Sequence, residues 1–221
     1  MSTPKSHAER LAILRSGLYV LTDGDLRPDR SAEEITRAAI AGGAATIQLR
    51  AKRYDTQTTI GIAKKLCRIC RDAGVLFIVN DRVDIALASD ADGVHLGPDD
   101  MLPADARRLM GPNAIIGVSV STIEEAEPIS QYASYLGVGA IFGTKTKLDA
   151  GDAVGTGRIK MIRSAFRNLP IVAIGGINAA NIAETSFAGA EAAAVVSAVI
   201  CAGNMIQATQ ELGTAFKNSR K

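Results

Sequence analysis

The chain has 221 residues, a net charge of +2, 47% hydrophobic residues, 21 Gly and no Trp. Near-neutral charge excludes a general polyanion binder, and no basic stripe marks a nucleic-acid surface. No apolar run reaches the length of a membrane span and residues 1–15 carry no apolar signal core, so the expectation is a soluble, cytoplasmic protein without nucleic-acid or membrane partners.

Residues 1–16 read as an extension with a short helix over 8–14. Residues 17–23, Gly-Leu-Tyr-Val-Leu-Thr-Asp, form the first strand. Ser31-Ala32-Glu33-Glu34 then has the spacing of a capping box, followed by apolar Ile35, Ala38 and Ala39 and closed by Gly42-Gly43. The second strand is 45–50, a helix follows over 56–73, and the third strand is 75–80. A short helix over 83–89 leads to the fourth strand, 92–96, and a helix over 102–110 to the fifth, 114–118. Ser121 or Thr122 caps the next helix, with Glu124 and Glu125 in its first turn, where the helix dipole favours acids. Strand six is 135–139. A helix over 158–168, strand seven at 171–174, a helix over 179–187 capped by Asn178, strand eight at 192–196 and a helix over 204–217 complete the series.

Alternating strands and helices at this spacing call for parallel strands with helical crossovers. Eight such units in this length predict a single-domain α/β protein, a (β/α)8 TIM barrel over 17–221 with 1–16 as an N-terminal extension. An open doubly wound sheet is the runner-up, lowered because no Gly-x-Gly-x-x-Gly follows the first strand. Of the three cysteines, Cys67 and Cys70 match a redox spacing. They also share a helical stripe with Ile60 and Ala63, which makes core packing the expectation.

Polar residues gather where strands end. Gln48, Arg50 and Lys52 close strand two, with Gln48 and Arg50 on one side because side chains alternate. Asn80 and Asp81 close strand three, Asp99 and Asp100 follow strand four, and Ser119 follows strand five. Gly143-Thr144-Lys145-Thr146-Lys147 follows the apolar run of strand six and packs hydroxyl and ammonium donors together, as an anionic ligand requires. Gly175-Gly176 follows strand seven, and Val196-Ser197 closes strand eight. In a barrel these ends share one rim, where active sites lie and where the last two loops bind phosphate. Arg offers a fork to phosphate and Lys a point charge. Asp81 and Asp100 suit a hard divalent cation, or else serve as caps of the helices behind them. His95 on strand four reads as a core or supporting histidine.

These pieces resemble the thiamine phosphate synthase family. The matching pieces are Gln48-Leu49-Arg50-Ala51-Lys52, Asn80-Asp81-Arg82, Asp92-Gly93-Val94-His95-Leu96-Gly97, Gly117-Val118-Ser119, Thr144-Lys145-Thr146-Lys147, Ala173-Ile174-Gly175-Gly176-Ile177 and Val195-Val196-Ser197, in the family's order. The resemblance implies a Mg²⁺-dependent transferase. It would couple hydroxymethylpyrimidine diphosphate to hydroxyethylthiazole phosphate, releasing diphosphate by a dissociative displacement. By that resemblance Gln48, Arg50, Lys52, Asn80 and Lys147 hold the pyrimidine diphosphate. Ser119 helps, and Arg50, Lys52, Lys147 and Ser119 act on the leaving group. Asp81 and Asp100 bind Mg²⁺, and Thr144, Thr146, Gly176, Val196 and Ser197 hold the thiazole phosphate. A lid over 148–157 and a homo-oligomer are compatible with the chain. Pro98, where the family often has Gln, and Gly143, where it often has Pro, depart from the pattern. A thiazole tautomerase-like barrel and a non-catalytic sensor of a thiamine precursor are the alternatives. A sugar-phosphate epimerase would leave Arg50 and Lys52 unexplained.

Overall fold

The structure is a computed structural model that describes residues 5–24, 26–144, 146 and 152–219. Eight parallel strands close on themselves in chain order: β1 (Leu18–Asp23), β2 (Thr46–Arg50), β3 (Leu76–Asn80), β4 (Gly93–Leu96), β5 (Ile115–Val120), β6 (Tyr135–Val138), β7 (Ile171–Ile174) and β8 (Ala192–Val195). β1 pairs with both β2 and β8, which removes the sheet edge. The outer ring is α2 (Ala32–Ala41), α3 (Thr56–Asp72), α4 (Val83–Ala88), α5 (Pro103–Met110), α6 (Ile123–Ala126), α7 (Thr156–Ala165), α8 (Ile182–Phe187) and, after the short α9 (Ser197–Ile200), α10 (Met205–Asn218); α1 (His7–Leu14) precedes β1. The fold is the expected (β/α)8 barrel.

Strand alternation divides the core in two. Val20, Ile47, Leu49, Phe77, Val79, Val94, Ile116, Val118, Leu136 and Val195 face the helices. Tyr19, Leu21, Leu76, Ile78, Ile115, Tyr135, Val172, Ala192 and Ala194 fill the barrel itself. With Leu49 committed to the helices, Gln48 and Arg50 turn inward as the alternation requires. Fully burying each large aliphatic side chain contributes about 1.5–3 kcal/mol. The interior of this barrel is less uniform, because two tyrosines need space and partners. Gly117 and Gly137 supply the space. A Cβ on Gly117 would stand 2.0 Å from the Tyr135 ring, and one on Gly137 2.8 Å from the His95 ring.

The start of α1 holds a full capping box. Ser6 Oγ accepts from Glu9 N at 3.3 Å, and Glu9 Oε2 accepts from Ser6 N at 2.7 Å. Leu14 is fully buried in the cluster that fills the barrel, and Arg10 bonds Asp92 Oδ1 at 3.0 Å and Asn113 O at 2.7 Å. Asp92 lies one residue before β4 and Asn113 two before β5, so α1 lies against the N-terminal end of the barrel.

Several helix ends differ from expectation. Ser31 does cap α2 as expected, through Glu34 N at 3.1 Å. α3 is capped by Asp55 through Thr58 N at 2.9 Å. Thr122, rather than Ser121, caps α6 through Glu125 N. α7 starts two residues before the expected 158 and stops three before 168. α8 begins at Ile182 behind Asn181, because Asn178 accepts from Ala180 N at 2.9 Å in a local turn and Asn181 accepts from Asn178 N at 2.8 Å. β5 runs on to Val120, so Ser119 sits within the strand rather than after it.

Loops at the N-terminal end are clasped by arginines. Arg107 donates to the carbonyls of Gly111, Pro112, Ala114 and Tyr132 and to Ser134 Oγ, while Ser134 Oγ accepts from Ile116 N at 3.0 Å. Arg107→Ala strips these acceptors of a charged donor and is expected to lower unfolding stability by about 2–3 kcal/mol. Urea denaturation checks this, and a variant within 0.5 kcal/mol of wild type (roughly surface-level) would refute it.

Candidate active site

The C-terminal rim brings most of the expected residues together. Asp23 and Arg50 are opposed in the β1–β2 register, and Arg50 Nη1 donates to Asp23 Oδ2 at 2.6 Å. Asp23 is 3% exposed and the Arg50 side chain 17%, so this charge-assisted bond sits at the edge of the interior and aims the guanidinium. One strand over, Asn80 pairs in register with His95. Asp81 follows with φ of 65°, a left-handed conformation that Asp tolerates better than most residues. Its N–H reaches across to His95 O at 2.8 Å, which continues the β3–β4 pairing past the strand end.

That geometry turns the Asp81 carboxylate toward Asp100 and Lys52. Lys52 Nζ lies 3.6 Å from Asp81 Oδ2. Burial and then the neighbouring Asp100 charge push the Asp81 carboxyl above its usual range, while Lys52 pulls the other way. Asp100 is held in place by Gly97 N, which donates to its Oδ2 at 2.7 Å. Neither aspartate caps a helix. The N-cap of α4 is Arg82 and that of α5 is Leu102, both without a side-chain cap bond, and α5 begins on Pro103. Two carboxylates thus face each other at a cost in repulsion with no capping role to explain them. An all-oxygen pair of this kind fits a hard divalent cation completed by water and phosphate oxygens. Among the described residues no group of three or more His, Cys, Asp or Glu could hold a metal.

Across the mouth, Thr144, Thr146, Gly176 and Ser197 line an open cavity of about 430 Å³ together with Gly143, Ile177 and Asn178. Thr146 Oγ1 is 3.4 Å from Ser197 Oγ, and Thr144 Oγ1 accepts from Thr146 N at 3.1 Å. Gly176 has φ of 63°, and a Cβ there would meet Gly143 O at 2.5 Å, so only glycine lets these two loops touch. Val196 forms the N-cap of α9 beside Ser197. Lys147 and 148–151 of the expected lid lie outside the described residues. The far end of that segment is anchored: Val154 N donates to Ala140 O and Gly155 N to Ile141 O.

The mouth is joined below by groups that strand patterns conceal. Gln48, 3% exposed, donates from Nε2 to Tyr19 Oη at 2.7 Å, and Ser119 Oγ is 3.0 Å from His95 Nε2. Gln48 Oε1 is buried and has no partner among the described residues.

A family model described as thiamine monophosphate synthase matches residues 18–199, all eight strands and on to Val199 of α9. The chain is 49% identical over 205 residues to the thiamine-phosphate synthase of Methanospirillum hungatei, covering 92% of this chain and 98% of that one. The chain belongs to the thiamine monophosphate synthase family. It is accordingly a transferase of thiamine biosynthesis. A Chloroflexus aurantiacus thiamine-phosphate synthase is 50% identical over 196 residues, 88% of this chain and 90% of the other. The solved thiamine phosphate pyrophosphorylase from Pyrococcus furiosus superposes with a TM-score of 0.86 at 40% identity, covering 95% of this chain and 100% of that one. A 3-hexulose-6-phosphate synthase at 18% identity and TM-score 0.65 shares the barrel fold.

Within this synthase-family barrel, the two departures sit on the surface of the site. Pro98 is exposed, and a side chain at Gly143 would meet nothing within 4 Å. Cys67 and Cys70 are buried on the inner face of α3, and burial pushes both thiols up, away from the thiolate that redox chemistry needs. Among the described residues no helix is long and apolar enough to cross a membrane.

Proposed function

We propose that this chain joins 4-amino-5-hydroxymethyl-2-methylpyrimidine diphosphate to hydroxyethylthiazole phosphate, giving thiamine phosphate and diphosphate. The observation that carries the reading is the division of the rim into two halves suited to phosphate, one with cationic side chains beside a cation-seeking carboxylate pair and one lined by hydroxyls. Arg50, Lys52 and the Asp81–Asp100 pair stand on one side. The Thr144–Thr146–Gly176–Ser197 cavity stands on the other. By the family resemblance Gln48, Asn80 and Lys147 hold the pyrimidine diphosphate, and Val196 takes part in holding the thiazole phosphate.

The bond from the pyrimidine methylene carbon to the diphosphate oxygen breaks with its electrons going to diphosphate. The thiazole nitrogen then supplies the pair for the new C–N bond. Such a dissociative path asks little of a protein base. It asks for charge neutralisation at the leaving oxygens and for a partner held close. Arg50 grips a phosphate through its fork once Asp23 has set its plane. Lys52 swings from Asp81 to the diphosphate when that carboxylate is engaged elsewhere. Thr144, Thr146 and Ser197 hydroxyls and the exposed backbone at Gly176 orient the thiazole phosphate. Bound at Asp81 and Asp100, Mg²⁺ would supply charge stabilisation for the departing diphosphate.

The test is direct coupling. The purified chain is mixed with both substrates and Mg²⁺, and thiamine phosphate and diphosphate are followed together. Equal formation of the two, abolished by chelation, is expected. Absence of product alongside tight calorimetric binding of thiazole phosphate would overturn the synthase reading in favour of a binding or tautomerase role.

A further inference from the structure

Beneath the mouth, five polar side chains run across the barrel interior without a gap. Gln48 Nε2 donates to Tyr19 Oη at 2.7 Å. Tyr19 Oη lies 3.0 Å from Tyr135 Oη, Tyr135 Oη 2.9 Å from His95 Nδ1, and His95 Nε2 3.0 Å from Ser119 Oγ. The Tyr135 and His95 rings stack with centroids 5.5 Å apart, and both tyrosines are buried. Two strand glycines, Gly117 and Gly137, exist to admit these rings. A barrel built only for stability would fill this layer with aliphatic side chains. Burial also pushes both phenols above their usual range, so each keeps its one proton.

Proton counting then gives the chain a direction. Tyr19 accepts from Gln48 and therefore spends its proton on Tyr135. Tyr135 accepts that bond and spends its own proton on His95 Nδ1. Nδ1 is thus an acceptor, so in the neutral imidazole the proton is on Nε2 and is donated to Ser119 Oγ. The Ser119 proton has no claim on it from below. Reversing the Gln48 amide would reverse every bond, place the proton on Nδ1, and turn the Ser119 proton down toward His95.

We infer that Tyr19, Tyr135 and His95 are positioning residues, a one-way hydrogen-bond chain that locks His95 as its Nε2–H tautomer and leaves the Ser119 hydroxyl to donate to the ligand in the mouth. The chain also ties Gln48 on β2 to Ser119 on β5, so groups on opposite walls answer to one buried network. Its kinetic consequence rests on the synthase reading. The tautomer itself does not.

The experiment uses the full chain labelled with ¹⁵N-histidine. There are two histidines, and His7→Gln assigns His95 by elimination. A protonated Nε2 and an unprotonated Nδ1 are expected in wild type. Tyr135→Phe is expected to move both nitrogens toward averaged values and to lower kcat about tenfold, with KM for thiazole phosphate unchanged. Tyr19→Phe, one step further away, gives the same shifts in smaller measure and serves if Tyr135→Phe does not fold. His95→Gln, which keeps a donor near the Nε2 position, is expected to retain more turnover than His95→Asn, whose amide reaches only the Nδ1 position. A wild-type Nδ1–H tautomer overturns the inference. So does Tyr135→Phe that leaves the tautomer or kcat unmoved, or His95→Asn matching His95→Gln. A wild-type chain with no turnover counts against the synthase reading, and the tautomer measurement still decides the lock.

Discussion

Asp81→Asn is expected to lower kcat/KM by at least about 100-fold, some 2.7 kcal/mol of transition-state stabilisation, while the variant folds as well as wild type or better. Asparagine is the informative replacement because the backbone at 81 has φ of 65°. Asn tolerates that conformation as Asp does, whereas Ala would add backbone strain of about 1 kcal/mol or more and confuse the result. The direction of the stability effect follows from the site. Burial and Asp100 both disfavour the Asp81 charge, and Lys52 at 3.6 Å offsets this only in part. Removing that charge relieves repulsion in the unliganded chain. The same removal takes away half of the paired carboxylates proposed to hold Mg²⁺. Stability and activity should therefore move in opposite senses, as they do where a site stores unfavourable electrostatics for a ligand. Thermal melts with and without Mg²⁺ separate the parts. Wild type should show a Mg²⁺-dependent rise in Tm, and Asp81→Asn should lose most of it. Near-normal turnover at limiting Mg²⁺, or an undiminished Tm rise, would remove Asp81 from the cation site.

The barrel was legible because its periods are simple. Short apolar strands ending in polar residues alternate with amphipathic helices, and register follows once Leu49 must face the helices and Gln48 must not. Rim residues were legible for the same reason, since strand ends converge in a closed barrel. Helix boundaries were less so, because several Ser, Thr and Asn residues compete for each cap. Asn178 is held in a local turn, so α8 starts later, behind Asn181, which makes no side-chain cap bond, and the full capping box lies at Ser6–Glu9 rather than at Ser31. α9 is hidden because the apolar residues of β8 run straight into it. The interior chain is the least legible feature of all. Tyr19 and Tyr135 read as ordinary apolar strand positions, yet a buried phenol needs a partner. Gly117 and Gly137 were the available signal, since glycine inside a strand marks a close approach by something. What approaches is a ring from a neighbouring strand, and no local pattern names it. Asp23 is hidden likewise, as the last residue of a strand, because Arg50, which it binds, is 27 positions away.

Asp23→Asn should lower kcat about tenfold without raising KM for the pyrimidine diphosphate, and should cost about 2 kcal/mol of stability. Two effects compete. Loss of the buried negative charge leaves Arg50 less neutralised, which strengthens its attraction for a polyanion. It also replaces a charge-assisted bond of 2.6 Å with a weaker neutral one, so the guanidinium plane is less firmly held. Attraction acts on substrate and transition state alike and so appears in KM, where it lowers the value or leaves it unchanged. Orientation matters most as charge develops on the leaving oxygens, and so appears in kcat. The second effect wins for turnover, because a fork aimed even modestly wrong forfeits one of its two bonds. Asp23→Ala should be worse on both counts, since it also opens space beside a half-buried guanidinium. Arg50→Lys supplies the converse case: charge is kept, the fork is lost, and kcat should again fall while the fold persists. Separate kcat and KM values for the three variants decide the matter. A raised KM with unchanged kcat in Asp23→Asn would mean that Arg50 serves ground-state binding alone and that its orientation is set elsewhere.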